Sequence, residues 1–321
     1  MNTELSIRLF KNLLYIRLVE ERIRILYPEQ ELRCPVHLCI GQESAPVGVC
    51  ANLLQDDVVF SSHRAHGHYL AKGGDLKKFF AELYGKSTGC CRGKGGSQHL
   101  IDTSCSFVGS TPIVAGTIPL AVGAAFSFFL NQKKNIAVAF FGDAATEEGV
   151  FHESLNFAKL KNLPVLFVCE NNLYAVYTSL KERQPPRKRT DIAHAHGLEC
   201  YEADGTDVIS VYHVAKQALE NIRNGNGPAF LEIATYRYFE HCGPDCDLHL
   251  GYRSEQELTL WKQKDPLEIL KHSMLSQGIT TQETMNKMYA EIAVQIDEAV
   301  AFGKSSAFPD KPELSQHIYA D

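Results

Sequence analysis

No stretch of this sequence is apolar for long enough to cross a bilayer. The longest candidate, Ile118 to Leu130, falls short of the roughly 20 residues a spanning helix needs. An excess of positive charge is also missing. Lys and Arg number 32 against 38 Asp and Glu, a net charge of −6 that leaves no general basic footprint for nucleic acid. Internal repeats and low-complexity tracts are absent, which argues against solenoids and disordered linkers. The opening stretch, MNTELSIRLFKNLLYIRLVEERIRIL, carries charge throughout and so does not read as a secretory leader. No membrane and no nucleic-acid partner is expected, and the expected location is cytoplasmic.

What is present reads as a globular chain. Its 321 residues are 45% hydrophobic and 22% charged, ample for a large core. Ten cysteines without a leader read as reduced thiols. HCGPDCDLH offers His241, Cys242, Cys246 and His249 as a conceivable zinc set, although the spacing is not that of paired knuckles.

Periodicity sets the order of elements. Leu5, Leu9, Leu13, Ile16, Ile23 and Leu26 share one helical face behind a Thr3 cap. DLKKFFAELYG predicts a helix capped by Asp75 and stopped by Gly85. TIPLAVGAAFSFFL is apolar all round, as in a buried helix. NIAVAFF and VLFVCEN are short unbroken apolar runs, as in central parallel strands, and EGVFHESLNFAKLKN between them is helical. DVISVYHVAKQALENIRNG and PAFLEIATYR repeat helix then strand. The expected fold is α/β, a mostly parallel sheet flanked by helices. One domain over residues 1–321 is expected, with an N-terminal helix and a C-terminal helical arm. Ser179 to His196, basic and carrying Pro185-Pro186, reads as a loop. The chain after Ser254 reads as helical, ending in an extended arm.

Two strand tips stand out. Asp143 and Asn172 fall at the carboxyl ends of strands, where open α/β sheets bind ligands. A carboxylate and an amide oxygen suit a hard cation such as magnesium. The helix expected after Asp143 would aim its N-terminus at the same spot, which suits an anion. A phosphate-bearing cofactor held through its metal satisfies both. Read singly, Asp143 could be only a helix cap and Asn172 only a turn residue.

Five further stretches run in register with this pair. HLCIGQES at His37, HRAHGHYLAKGG at His63, GKGGSQHL at Gly93, IVAGTIPLAVGAA at Ile113 and HCGPDCDLHLGYRSEQEL at His241 surround Gly142-Asp143 and Asn171-Asn172. Together they resemble the alpha subunit of the thiamine-diphosphate-dependent decarboxylating component of 2-oxoacid dehydrogenase complexes. Pyruvate, branched-chain 2-oxoacid and acetoin dehydrogenases belong to that family, and the resemblance covers nearly the whole chain. It implies a thiamine-diphosphate-binding fold, here the diphosphate half. It implies magnesium on the side chains of Asp143 and Asn172 and the carbonyl of Tyr174. It implies cofactor contacts from His63, Arg64, Val114, Gly142, Asp143, Ala144, Ala145, Asn172, Tyr174 and His241, with His37 and His241 catalytic. His66, His68, His99, His194 and His196 read as structural.

The resemblance also implies a reaction. A 2-oxoacid or acyloin is cleaved to a cofactor-bound enamine, and the acyl group passes to a lipoyl-bearing acyltransferase. A separate beta subunit would supply the pyrimidine half of the site in an α2β2 heterotetramer. The helix near residues 117 to 130 could pack on it, and Ser179 to His196 could cover the site. The chain departs from the family at several points. Ala144 replaces a glycine, His63 stands where tyrosine is frequent, and Gln98 replaces a thioether. PIVA replaces GIVG, so Pro112 lacks an N–H. Cys242 stands where animal pyruvate dehydrogenases carry a phosphorylated serine. If Ala144 needs a positive φ, it costs about 1 kcal/mol. Two other functions stay open: a carboligase that passes the same enamine to an aldehyde or ketone, and a drifted non-catalytic subunit.

Overall fold

The computed structural model describes residues 2–316. Six strands form one sheet: β1 (Val58–Ser61), β2 (Phe107–Ser110), β3 (Ala137–Gly142), β4 (Val165–Asn171), β7 (Glu199–Asp204) and β8 (Ala229–Ala234). Every pairing is parallel, in the order β2-β1-β3-β4-β8-β7. A two-stranded antiparallel hairpin, β5 (Tyr174–Ala175) and β6 (Thr178–Ser179), stands apart.

Alternation along the strands builds two cores. In β3, Val138 and Phe140 join one cluster, while Ala137, Ala139 and Phe141 join the other. Both faces are therefore covered, which is why the run is unbroken in apolarity. The helices Thr3–Leu26, Ser44–Cys50 and Val208–Arg223 fill the first side. Ile118–Leu130, Gly149–Leu160 and Arg189–Ala195 fill the second. Three C-terminal helices follow, Glu255–Lys262, Pro266–Ser276 and Gln282–Ser305. Gly303 lets the last approach Leu76–Leu83 closely, because a Cβ there would meet Tyr84 at 2.9 Å.

The strand order fixes where a ligand binds. From β1 the chain passes to β2 on one side, and from β3 to β4 on the other. Segments leaving the carboxyl ends of β1 and β3 diverge and open a crevice at this switch point. His63 and Arg64 follow β1, and Asp143 follows β3.

Some expectations need correction. The first helix is capped by Asn2, whose Oδ1 accepts from Leu5 N at 3.1 Å; Thr3 is already helical. The helix Ile118–Leu130 is not buried all round. Ile118, Ala121, Val122 and Ala125 face the sheet, and Leu120, Phe129 and Leu130 stand exposed, because only one side meets a neighbouring layer. Ser179 to His196 is not a loop. Ser179 caps Leu180–Arg183 through a reciprocal box with Glu182, its N–H donating to Glu182 Oε2 at 3.2 Å. Beyond the prolines, Arg189–Ala195 buries Ile192 and Ala193. The α-helix after Asp143 starts only at Gly149, because a 3-10 turn, Asp143–Glu147, and an extended Glu148 intervene. The α-helix N-terminus therefore stands six residues beyond Asp143 rather than directly after it. The C-terminal arm lies on residues 87–94, with Ser87 N donating to Ala307 O at 2.9 Å and Glu313 pairing with Arg92 and Lys94. The end of that arm, 317–321, lies outside the described residues.

Candidate active site

One cavity occupies the switch-point crevice. His37, Gln42, His63, Arg64, Val114, Gly142, Asp143, Ala144, Ala145, Asn172, Tyr174 and His241 all line it. Every residue expected at the cofactor site is therefore brought to one place. Pro112, Thr117 and Glu170 join them.

One wall carries oxygen donors. Asp143 is only 1% exposed, and its burial pushes the carboxyl pKa up, an effect opposed by the Arg183 guanidinium bonded to Oδ2. Asn172 leaves β4 with its Oδ1 accepting from Tyr174 N at 3.1 Å. Leu173, at φ +74°, turns the chain between them. Asn172 Nδ2 donates to Gln42 Oε1 at 2.8 Å. Gln42 is presented by Gly41, which at φ +94° sits so close that a Cβ would lie 2.4 Å from Tyr236 O.

The opposite wall carries nitrogen. The rings of His37, His63 and His241 pack with centroids 4.6, 4.9 and 5.2 Å apart. Burial, then the Arg64 charge, pushes His63 and His241 down to about 3, and His37 is lowered by the same causes. All three imidazoles are neutral at pH 7. Gln98 Nε2 meets His37 Nδ1 at 3.1 Å, a contact a thioether would not make. Arg64 is 5% exposed and donates only to carbonyls, Leu38 O at 2.6 Å and His241 O at 3.2 Å. Burial lowers it to about 10, so it stays charged. No carboxylate pairs with it among the described residues. The three imidazole nitrogens lie close enough to hold a metal, within 4.8 Å of one another, but the adjacent guanidinium repels a cation. This wall suits an anion.

Several sequence expectations resolve here. His66 is a fully buried link, 2.7 Å from Glu20 Oε1 and 2.6 Å from Ser97 Oγ. His68 contacts Ser61 at 2.9 Å. Cys242 and Cys246 are exposed free thiols, and with His249 they form no metal-ligand group among the described residues. Ala144 has no positive φ and is unstrained; the strained alanine is Ala115, at φ +59°. Gln42, Glu170 and Arg183 were not singled out from sequence. The first two lie inside stretches already quoted, HLCIGQES and VLFVCEN. Arg183 sat in a segment read as a loop and left no signal beyond its basic composition.

The profile of the family described as Dehydrogenase E1 component matches residues 11–311. The chain belongs to that family. The alpha subunit of acetoin:2,6-dichlorophenolindophenol oxidoreductase from Bacillus subtilis is 37% identical over 99% of this chain and 95% of its own length. The pyruvate dehydrogenase E1 component subunit alpha of Porphyra purpurea is 36% identical, covering 98% of this chain and 92% of that protein. Its counterpart from Rickettsia felis is 35% identical, over 98% and 95%. The six-stranded parallel sheet with flanking helices accords with this dehydrogenase E1 membership, and membership implies thiamine diphosphate. Among the described residues no helix is long and apolar enough to cross a membrane.

The cavity fits that cofactor. An unpaired buried guanidinium fits a diphosphate, and an all-oxygen donor set fits magnesium. Gly142 adds room, since nothing lies within 4 Å of where its Cβ would stand. A cation already stands against Asp143 in the form of Arg183.

Proposed function

We propose that this chain is the alpha subunit of a thiamine-diphosphate-dependent dehydrogenase for a small 2-oxoacid or acyloin, with a lipoyl carrier as acyl acceptor. The observation that carries the reading is Arg64, a buried cation with no carboxylate in ion-pair contact among the described residues, facing a wall of oxygen donors. Leaving such a charge uncompensated costs several kcal/mol, and a bound diphosphate offsets it. Arg64 and His63 would grip the diphosphate. Asp143, Asn172 and the Tyr174 carbonyl would hold magnesium. Gly142, Ala144 and Ala145 would let the phosphates approach the backbone, and Val114 would meet the pyrimidine.

When bound, thiamine diphosphate supplies a nucleophilic carbon and an electron sink for cleavage beside a carbonyl. The neutral imidazoles of His37 and His241 can hydrogen-bond a reacting hydroxyl, and a bound diphosphate, by offsetting the Arg64 charge that holds them down, would raise their basicity for proton transfer. Gln98 orients the His37 ring.

The pocket mouth supports a beta subunit in an α2β2 assembly. Ile113 is 71% exposed and Val114 48%, and Leu120 and Leu130 continue the apolar surface along Ile118–Leu130. Such a patch beside a cofactor cleft marks an interface. The ten free cysteines support a reducing, cytoplasmic setting. The absence of strain at Ala144 weighs against a drifted, inactive subunit.

The test is calorimetric titration of thiamine diphosphate with magnesium into the chain, alone and with its beta partner. Binding that needs the partner and is lost in Asp143→Ala is expected. An intact complex that binds no cofactor would sink the reading.

A further inference from the structure

The segment after Asn172 makes a closed circuit around the oxygen-donor wall. It leaves β4, turns at Leu173 and again at Val176, φ +53°, and returns through the β5–β6 hairpin. Leu180 N donates to Leu173 O at 2.7 Å, which closes the hairpin base. Arg237 Nη2 donates to Val176 O at 2.6 Å and pins its tip. The capped turn Leu180–Arg183 then delivers Arg183 back to Asp143. Gln184 fastens the end, donating to Thr146 Oγ1 at 3.1 Å and Glu147 Oε1 at 2.8 Å.

Arg183 spans two carboxylates. One terminal nitrogen bonds Asp143 Oδ2 and the other bonds Glu147 Oε1, while Nε donates to Thr178 O at 3.2 Å. Its side chain is nearly buried, and it is the one cation in ion-pair contact with Asp143 among the described residues. A buried carboxylate without a counter-charge would protonate or turn to solvent. The guanidinium supplies that counter-charge and, through its bond to Oδ2, fixes the orientation of the Asp143 carboxylate at the cavity wall. A divalent cation on the same carboxylate would stand a few ångströms from that guanidinium, and like charges at such range repel strongly in a buried site. Asp143 cannot serve both at full strength. Glu147, a third exposed, offers the guanidinium a partner that the cavity does not need.

We propose that Arg183 is a positioning residue of the cation site, the built-in counter-ion of Asp143, which must yield that carboxylate to an arriving divalent cation and stay on Glu147. Arg183 thus preorganises the site and at the same time lowers its cation affinity. This rests on the cofactor reading above.

The experiment is manganese binding to the chain in complex with its beta partner, with thiamine diphosphate present, followed by the paramagnetic signal of free ion. Wild type, Arg183→Gln, Arg183→Lys and Asp143→Ala are compared. Arg183→Gln is expected to bind manganese about tenfold more tightly, since one charge-assisted hydrogen bond no longer has to be given up. Arg183→Lys, shorter and unable to span both carboxylates, shifts the same way by less. Melting without metal is the second readout. Arg183→Gln melts lower than wild type when metal-free and gains more on adding manganese and cofactor. A merely structural arginine would lower stability and weaken or leave unchanged the affinity; either affinity result overturns the proposal while the cofactor reading stands. Wild type that binds no more manganese than Asp143→Ala removes the cofactor reading and this proposal with it.

Discussion

On one wall of the pocket Asp143 is buried in an ion pair with Arg183, and on the other Arg64 is buried with carbonyl oxygens as its hydrogen-bond acceptors. The first charge has its partner within the chain. The second has no ion-pair partner among the described residues. A paired buried charge can be structural, because its desolvation is offset locally. An unpaired one persists at a cost, and the cost is recovered only when a ligand of opposite sign arrives. The anion wall therefore speaks for a ligand directly, while the oxygen wall speaks for one only through its donor set. Removing charge from the two walls should thus have opposite effects on the empty protein and the same effect on binding.

The largest effect tests that contrast. In the complex with the beta partner, Arg64→Gln and Asp143→Ala should each weaken thiamine diphosphate by about a hundredfold, since each removes a charged contact to the cofactor or its metal. Without ligand they should part. Asp143→Ala leaves Arg183 with Glu147 alone and should cost about 2 kcal/mol of stability. Arg64→Gln removes an uncompensated cation and should leave stability unchanged or raise it. Urea unfolding of the ligand-free complex measures both. Equal destabilisation by the two variants would mean that Arg64 is structurally paired after all.

A smaller effect tests how the walls are tied. Gln42 belongs to the same stretch as His37 yet bonds Asn172 across the pocket. Gly41→Ala would drive a methyl into Tyr236 O and into the Tyr238 ring, 2.7 Å away, from a backbone angle alanine resists. We expect a loss of about 2 kcal/mol and weaker cation binding together. If Gly41→Ala destabilised the chain but left manganese affinity intact, the Gln42 link would carry no function.

The imidazoles give a pH signature. An unfolded histidine titrates near 6.5, whereas His63 and His241 are held down to about 3. Between those values the unfolded chain binds protons that the folded chain refuses. Their contribution to stability is therefore fully present above pH 6.5 and is lost as pH drops through that window. His63→Tyr removes one such group, so its stability should fall less steeply, by up to about 1.4 kcal/mol per pH unit before solvent screening reduces it. Denaturation midpoints at pH 7 and pH 5 for both proteins decide it. Parallel slopes would show that His63 takes up its proton in the fold over the same pH range as in the unfolded chain.

How much of this could be read in advance depends on the kind of information. Strands β3 and β4 were legible because both faces are buried, so apolarity alone marks them. Asp143 and Asn172 were legible because they terminate those runs. Val114, His63 and His241 were reachable only through whole motifs, since nothing in the residue types says that they converge. Arg183 was illegible. Its role depends on a capped turn after a hairpin, and the two prolines beyond it read as loop when Ser179 and Glu182 in fact close a box. The exposed flank of Ile118–Leu130 was misread because apolar composition alone cannot tell a buried helix from one with an exposed apolar side.

The smallest effect concerns the strand-end turn between the walls. Ala115 is buried at φ +59°, a left-handed angle that disfavours any side chain with a Cβ, and it stands where relatives carry the last glycine of GIVG. Pro112 opens the same turn and restricts it further. Ala115→Gly relieves the left-handed strain but frees the unfolded chain and gives up one buried methyl. Relief of the strain outweighs those two losses, so the variant should gain up to about 1 kcal/mol. Its value lies in what accompanies the gain. If the turn is held strained to present the Val114 backbone at the pocket mouth, Ala115→Gly should unfold at higher urea yet bind thiamine diphosphate no more tightly. A variant that is less stable than wild type would show that the methyl packs better than its backbone angle suggests, and that the turn is set by its neighbours rather than by strain.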